Sequence, residues 1–274
     1  MRLRTLFPIA TLVCALALAL AAPAGAIIGG QPDGTAHPWV GAVAQGHEFC
    51  SGTLLAPTIM LTAAHCFQAL ALIGGQPAGP VIASFDPGRI SRGTSTFVTG
   101  TWFPDPQFCF GCGNGLPGVD THDVAVVVLN TPVAAPAYGQ LPALGLADTL
   151  PNKTTDTIVG YGVRDFIVGG GPKQPNPLDA LTRYQGTAQF VLSNDRSSAE
   201  FLKVSANNAQ GKAGVCFGDS GGPNFVGSST TILGINSFVD RGCTGVTYAF
   251  RVDTAQVQSF IRGTALRFGG VTLS

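Results

Sequence analysis

The fold is constrained most by a series of short segments rich in β-branched residues, separated by glycine, proline, asparagine and aspartate. Such segments are typical of strands joined by turns in an antiparallel barrel or sandwich. The sequence does not alternate strands with long amphipathic helices, so we do not expect a doubly wound α/β sheet. The predicted strands are residues 39–43, 51–55, 124–129, 157–159, 188–192, 231–235 and 246–252.

One helix is predicted near the end of the chain. Asp253 is its expected N-cap, and Gly263 is expected to end it. Between them Val257, Phe260 and Ile261 fall on one helical face. This pattern indicates a short amphipathic helix that packs on the β-structure.

The first 26 residues have the organisation of a secretory signal peptide. Arg2 and Arg4 precede an apolar stretch over residues 9–22, and the small residues 24–26 match the pattern that signal peptidase cuts. The apolar stretch is shorter than the roughly 20 residues that a membrane-spanning helix needs. We therefore expect cleavage before Ile27, secretion, and a mature chain that does not associate with a membrane.

Composition narrows the class of protein further. Charged residues make up 11% of the chain and balance to a net charge of zero, so a nucleic-acid-binding surface has no electrostatic basis. Seven cysteines are present, and loss of Cys14 with residues 1–26 leaves six. An even number of cysteines in an exported chain indicates three disulfides. The high content of alanine, glycine and proline favours a bacterial source.

Residues 218–222, Gly-Asp-Ser-Gly-Gly, carry the strongest chemical signal. A serine between glycines can lie on a turn where backbone N–H groups bind the negative oxygen formed when an acyl carbonyl is attacked. A surface turn and the nucleophile elbow of α/β hydrolases are the alternatives. Those hydrolases place their histidine after the serine. Here every histidine precedes Ser220, so that alternative lacks a base; the four are His37, His47, His65 and His122.

Two further motifs supply a base and a carboxylate. His65 lies beside Cys66 in a stretch of small residues, and Asp123 stands at the start of a strongly apolar strand. A partly buried carboxylate there needs a hydrogen-bond donor, which an imidazole N–H provides. Either residue alone is more typical of a structural role, but the order His, Asp, Ser together with residues 218–222 favours catalysis.

These motifs together resemble the chymotrypsin/trypsin-like serine protease family. The matching pieces are residues 27–30, 62–66, 123–129, 218–223 and 237–239. The resemblance implies an all-β fold of two six-stranded antiparallel β-barrels with a short C-terminal helix and an active site in the cleft between the barrels. A proline- and alanine-rich segment at 130–139 is the best linker candidate, so we expect an N-terminal barrel over about 27–133 and a C-terminal barrel over about 134–274.

By this resemblance Ser220 is the nucleophile, His65 the general base and Asp123 the group that holds His65 in the right tautomer. The N–H groups of Gly218 and Ser220 are implied to form the oxyanion hole. The protein is then a secreted serine endopeptidase that acts on proteins or peptides as a monomer, with protein inhibitors as further partners. The alternative is a protease-like binding protein without activity.

The resemblance also assigns a role to the start of the mature chain. In relatives the freed amino group of the first isoleucine pairs with the aspartate before the nucleophile; here these groups are Ile27 and Asp219. Relatives usually carry a pro-segment before this isoleucine, whereas here the signal-peptidase pattern lies directly before Ile27. We therefore expect export itself to generate the active N-terminus.

Cysteine pairing follows from the resemblance for four of the six. It implies disulfides between Cys50 and Cys66 and between Cys216 and Cys243. Cys109 and Cys112 remain as a local pair, for which a redox or zinc C-x-x-C is the alternative. No second cysteine pair accompanies them, so we expect a small disulfide in an inserted loop, residues 104–120, at the edge of the substrate cleft.

Alignment with the family gives the residues of the specificity pocket. Gly214 stands where trypsin-like members carry an aspartate, so cleavage after Arg or Lys is not expected. The wall falls on Val239 and on either Val246 or Thr247, which favours small or medium aliphatic side chains. Two further placements are implied: Phe217 at the pocket mouth, and the backbone of Ser237, Phe238 and Val239 beside the substrate as an added strand.

No metal or organic cofactor is implied by the sequence. Some relatives bind calcium in the loop after the catalytic histidine, using paired carboxylates. Residues 67–84 contain no Asp or Glu. This loop therefore has no anionic ligands for such an ion.

Overall fold

The computed structural model describes residues 27–67, 79–109, 112, 121–164, 166–167, 174–175, 180–191, 199–207, 210–239, 242–243 and 245–273. The predicted signal peptide and residues 110–111 and 113–120 of the predicted insert lie outside this set. None of the helices in the described ranges combines the length and the apolar character that crossing a membrane requires.

The first barrel is a closed antiparallel sheet of six strands built from the first half of the chain. Its strand order is β2-β3-β4-β7-β6-β5, with β5 returning to pair with β2. The strands are β2 (Val40–Gln45), β3 (Glu48–Ala56), β4 (Ile59–Thr62), β5 (Gly79–Ser84), β6 (Val98–Pro104) and β7 (Ala125–Leu129).

The second barrel has six strands in the order β11-β12-β15-β14-β13-β8, and β8 closes it by pairing with β11. Its strands are β8 (Thr155–Gly160), β11 (Tyr184–Val191), β12 (Phe201–Ala206), β13 (Pro223–Val226), β14 (Ile232–Val239) and β15 (Gly245–Arg251). Two-residue strands β9 (Phe166–Ile167) and β10 (Gln174–Pro175) pair with each other outside it. The predicted pair of six-stranded barrels is confirmed.

All seven predicted strand segments overlap observed strands, with residue 192 outside the described set. Five barrel strands, β4, β5, β6, β12 and β13, were not among the predicted segments. In β5 and β6, glycine and proline at Gly79, Pro80, Gly100 and Pro104 interrupt the β-branched pattern. Pairing of β5 with β2 and of β6 with β7 stabilises these two strands although their local propensity is low.

The C-terminal helix, α1 (Ala255–Gly269), corrects both predicted ends. Thr254 is the N-cap, and its side chain accepts a hydrogen bond from the Val257 N–H. Asp253 instead binds the guanidinium of Arg251. The helix continues through Gly263 to Gly269 and is capped by Gly270, whose φ of 64° is the left-handed conformation that favours glycine.

Each end of the described chain packs against the barrel built from the other half. Near the start, β1 (Gln31–Pro32) pairs with β11 of the second barrel. At the end, α1 buries Val257, Ile261 and Ala265 in the same apolar cluster as the strands of the first barrel. These two crossings add to the contacts between the barrels.

Arg183 joins the N-terminal segment and both barrels. Its side chain is 1% exposed, and its Nε donates to Asp33 Oδ2 at 2.7 Å. Burial disfavours the charge of Asp33, but hydrogen bonds and charge from His37 and Arg183 outweigh burial and hold the pKa of Asp33 below its ordinary value. The other acceptors of the guanidinium are the carbonyls of Gly34, Val40 and Phe85 and the hydroxyl of Tyr161.

Substitution Arg183→Met is expected to lower the free energy of unfolding by about 3–5 kcal/mol, because it leaves Asp33 buried without its cation. Urea unfolding of the disulfide-intact protein measures this loss. The matched control, Arg92→Met on an exposed loop residue, should change stability by less than about 0.5 kcal/mol. A loss below about 1 kcal/mol for Arg183→Met would contradict the role assigned to this residue.

Candidate active site

His65 and Asp123 are in direct contact at the junction of the barrels. His65 opens a short 3₁₀ turn (His65–Phe67) after β4, and Asp123 precedes β7. The Nδ1 of His65 lies 2.7 Å from Asp123 Oδ2, and the His65 main-chain N–H donates to Asp123 Oδ1 at 2.8 Å. Because both oxygens of the carboxylate bind the same residue, the imidazole is held in one orientation.

Asp123 is completely buried and its surroundings favour its charged form. Burial alone would raise the pKa of Asp123, but the charge and hydrogen bonds of His65 and the hydroxyl of Ser237 hold it below its ordinary value. The Ser237 hydroxyl donates to Asp123 Oδ2 at 2.5 Å. Ser237 was predicted only to bind substrate through its backbone, and its contact with Asp123 was not anticipated.

The loop that carries Ser220 packs closely against the first barrel. Ser220 itself is half-buried and lies between Gly218, with φ 96°, and Gly221, with φ 75°. A Cβ at Gly221 would lie 2.2 Å from Thr62 Oγ1 and 2.6 Å from the Ala63 nitrogen. Since His65 follows Ala63 by two residues, this contact brings the loop to the segment that carries His65.

Ser51 of β3 binds the same loop at two points and was missed by sequence reasoning. Its N–H donates to the Ser220 carbonyl at 2.8 Å, and its hydroxyl donates to the Gly218 carbonyl at 2.9 Å. A single serine in a strand is not part of a motif with a characteristic residue spacing. Its role follows only from the approach of the two barrels.

The N–H groups of Gly218 and Ser220 are available to a ligand. Among the described residues neither donates a hydrogen bond to a protein group. The carbonyl of Phe217, which shares a peptide group with the Gly218 N–H, accepts from Val163 at 2.8 Å. Backbone N–H groups that are fixed but unused can stabilise a developing oxyanion.

Asp219 is fully buried, and its carboxylate binds two backbone donors. Gly162 N–H donates to Oδ1 and Cys216 N–H donates to Oδ2, both at 2.8 Å. Burial raises the pKa of Asp219 to about 7 despite these hydrogen bonds. The carboxylate is therefore poorly compensated in the described structure.

The first described residues lie against the same region. Ile27 is fully buried in the apolar cluster of the second barrel, with φ 61°. Ile28 exchanges two backbone hydrogen bonds with Gly214, at 2.8 and 2.9 Å. Gly214 precedes Asp219 by five residues, so the predicted N-terminal segment and the predicted acidic partner are brought to one part of the second barrel.

Six cysteines form three disulfides, as predicted. The pairs are Cys50–Cys66, Cys109–Cys112 and Cys216–Cys243. Within the described part of the chain, only Cys50, His65 and Cys66 place three metal-ligand atoms within mutual reach. Since both of these cysteines are oxidised, they offer no thiolate to a metal.

The predicted pocket residues have apolar surroundings. Val239 packs against a buried cluster that contains Val163 and the Cys216–Cys243 disulfide. Thr247 pairs with Val239 across the sheet and is 2% exposed, whereas Val246 is 39% exposed. Of the two alternatives for the second wall, Thr247 therefore shares the face of Val239.

The other two predicted pocket residues differ in exposure. Gly214 is buried, and a Cβ added there would lie 2.8 Å from the Cβ of Ala206. Phe217 is 45% exposed. Phe238 stacks on Tyr248 with ring centroids 4.4 Å apart.

Two solved structures with this arrangement of barrels are described as a collagenase and as a protease paralogue. One is described as HL collagenase, with a TM-score of 0.59 and 18% identity over 89% of this chain and 98% of the other. The second is an inactivated protease paralogue of the scabies mite, with a TM-score of 0.60 and 17% identity over 84% of this chain and 94% of the other. At this identity the similarity establishes the fold.

Sequence comparisons identify the family. The family described as Trypsin matches residues 27–261. Neutrophil elastase of Mus musculus is 28% identical in an alignment of 242 residues that covers 86% of this chain and 80% of the relative. A trypsin of Saccharopolyspora erythraea is 29% identical in an alignment of 226 residues that covers 79% of this chain and 88% of the relative. The chain therefore belongs to the trypsin family, and it is a serine endopeptidase.

Proposed function

We propose that the protein is a secreted endopeptidase that cleaves through a Ser220–His65–Asp123 triad, after small or medium aliphatic residues. The observation that carries the proposal is the 2.7 Å contact between His65 Nδ1 and the buried Asp123 Oδ2. A carboxylate at Nδ1 fixes the tautomer whose Nε2 accepts a proton. This is the arrangement that a general base for a serine nucleophile requires.

In the first chemical step the Ser220 Oγ attacks the carbonyl carbon of the scissile bond, and its proton passes to His65 Nε2. The bond from the carbonyl carbon to the leaving nitrogen then breaks, and His65 returns the proton to that nitrogen. Asp123 stays ionised and stabilises the imidazolium that exists between these transfers. The lowered pKa of Asp123 supports this assignment.

The negative oxygen of the tetrahedral intermediate is bound by the N–H groups of Gly218 and Ser220. These donors are held in place before substrate arrives, which is how an oxyanion hole lowers the barrier without reorganisation. In the second half of the reaction, water attacks the acyl-enzyme with His65 again acting as base. The peptide acid is released and Ser220 regains its proton.

Substrate on the acyl side is proposed to bind along Ser237, Phe238 and Val239. Strand β13 accompanies β14 only as far as Ile235, and loop contacts extend the pairing to Asn236. Beyond that residue, none of the described strands lies on this edge of β14. A peptide in extended form can therefore add to the edge through backbone hydrogen bonds.

Maturation is proposed to occur by cleavage directly before Ile27. A β-branched residue with φ 61° is strained, at a cost of about 1–3 kcal/mol. A chain that starts at Ile27 has no φ at this residue, so the cleavage releases the strain. It also creates a cationic amine on Ile27, the charge that the buried Asp219 carboxylate requires.

Catalytic activity is tested by covalent labelling. A fluorophosphonate should label the protein on Ser220, and Ser220→Ala should abolish both labelling and peptide hydrolysis while leaving thermal stability nearly unchanged. The reason is that the proposed mechanism has His65 activate the Ser220 Oγ, which alanine lacks. If a correctly folded preparation neither reacts nor hydrolyses peptides, the alternative of an inactive binding protein holds.

Specificity is tested with a peptide library and matched chromogenic peptides. Cleavage should follow Ala, Val or Leu at least about tenfold faster than Lys or Phe, because β-branched walls at Val239 and Thr247 narrow the pocket and its floor at Gly214 has no carboxylate. Cleavage sites dominated by Arg and Lys, or by Phe and Tyr, would contradict this assignment.

Maturation gives a pH-dependent prediction. Without a cation, Asp219 has a folded-state pKa of about 7 against an ordinary 3.8, so the folded state binds its proton more tightly and stability falls as pH rises between these values. A free Ile27 amine should prevent the fall. The measurement is the free energy of unfolding in urea, for protein that starts at Ile27 and for protein that retains Ala26. We expect the two values to agree near pH 4 and to differ by up to about 4 kcal/mol at pH 7.

Two controls accompany this comparison. Asp219→Asn should remove the difference between the two forms, and raising the pH through the pKa of the paired amine should also close it. Sequencing of the secreted protein should give Ile27 as the first residue. A different first residue would refute export-coupled maturation.

A further inference from the structure

Two buried asparagines lie directly behind the loop that carries Ser220. Asn224 of β13 is completely buried and Asn236 of β14 is 3% exposed. The Asn224 Nδ2 donates to Asn236 Oδ1 at 2.8 Å. A pair of amides in a barrel interior is costly compared with apolar side chains, so its presence requires a reason.

Asn236 binds the loop at three points. The Gly221 N–H donates to the Asn236 carbonyl at 2.8 Å, and the Asn236 N–H donates to the Gly222 carbonyl at 2.9 Å. These two bonds involve the main chain and are open to any residue. The third is specific to asparagine: its Nδ2 donates to the Asp219 carbonyl at 3.0 Å.

The Asp219 carbonyl and the Ser220 N–H belong to one peptide group. This group is planar and trans, so its C=O and N–H point in opposite directions. The carbonyl accepts from the Gly222 N–H at 2.9 Å as well as from Asn236 Nδ2. Together these two donors fix the direction of the N–H, and the bond from Asn236 is the one that a side-chain substitution removes. A carbonyl that accepts a hydrogen bond also polarises its amide, which makes the N–H a stronger donor.

The Asp219 carbonyl sets which way the Asn236 amide faces, and Asn224 supplies the donor on its other side. The Asp219 carbonyl can only accept, so the NH₂ of Asn236 must face it and Oδ1 must face Asn224. Asn224 then has to donate, and its own Oδ1 has no hydrogen-bond partner among the described residues. The pair thus keeps the Asn236 NH₂ on the Asp219 carbonyl, and the buried Asn224 Oδ1 is left without a donor among the described residues.

We propose that Asn236 is a positioning residue for the oxyanion hole: its side chain orients the Asp219–Ser220 peptide so that the Ser220 N–H meets the developing oxyanion, and Asn224 holds Asn236 in place. The inference rests on the proposed function, because it assigns a role within the same reaction. It requires no contact between Asn236 and substrate.

The test compares Asn236→Val with the wild type on a peptide substrate. We expect kcat to fall about tenfold with KM within twofold, since the hydrogen bond acts through a group used only in the transition state. Affinity for a peptide aldehyde, whose adduct carries the oxyanion, should fall by the same factor. Affinity for the matching peptide alcohol should not change.

The double variant Asn224→Leu/Asn236→Val separates positioning from stability. Two apolar side chains remove the unsatisfied amide and should recover the unfolding midpoint that Asn236→Val loses. If the role is positioning, kcat stays about tenfold low in the double variant. The control Ile235→Val, a buried neighbour on the same strand, should keep the wild-type kcat.

The outcomes discriminate between this inference and the proposed function. A double variant with kcat within twofold of the wild type would overturn the role of Asn236, even if Asn236→Val alone fails to fold. An equal loss of affinity for aldehyde and alcohol would overturn it as well. Failure of the proposed function is recognised separately, because the wild-type protein would then not be labelled on Ser220.

Discussion

The arrangement of the barrels depends on a few buried charges at their junction. Only 11% of the residues are charged, yet Asp33, Asp123 and Arg183 are all at most 4% exposed. A desolvated charge tolerates little displacement of its partners, because each lost hydrogen bond leaves it uncompensated. Asp123 takes its donors from His65 of the first barrel and Ser237 of the second. The contacts that align the barrels therefore also align the groups of the active site.

Much of this organisation was predictable from the sequence. Strong local signals gave the seven strand segments, and the even number of cysteines in an exported chain gave three disulfides. The motifs around His65, Asp123 and Ser220 are informative because each combines a reactive residue with small or apolar neighbours. Contact between His65 and Asp123 was expected from the chemistry of a buried carboxylate, and the structure has it.

The residues that sequence reasoning missed act through contacts distant along the chain. Ser51 and Asn236 are ordinary strand residues until the Ser220 loop is placed on them. Arg183 belongs to no sequence motif, and its hydrogen-bond acceptors come from four separate segments. At the helix start, two adjacent residues could cap; Thr254 does so because Asp253 is bound by Arg251. In each case a contact with a residue distant along the chain determines the role, and the local sequence does not.

The loop around Ser220 is held by its carbonyl groups so that its N–H groups remain available. Main-chain donors fix most of them, including the Val163 N–H on the Phe217 carbonyl and the Ser51 N–H on the Ser220 carbonyl. Such bonds persist whatever the side chain. The Asp219 carbonyl differs, since one of its two donors is the side chain of Asn236. The direction of the Ser220 N–H thus depends in part on a side chain, and position 236 can alter transition-state stabilisation without altering the substrate-binding surface.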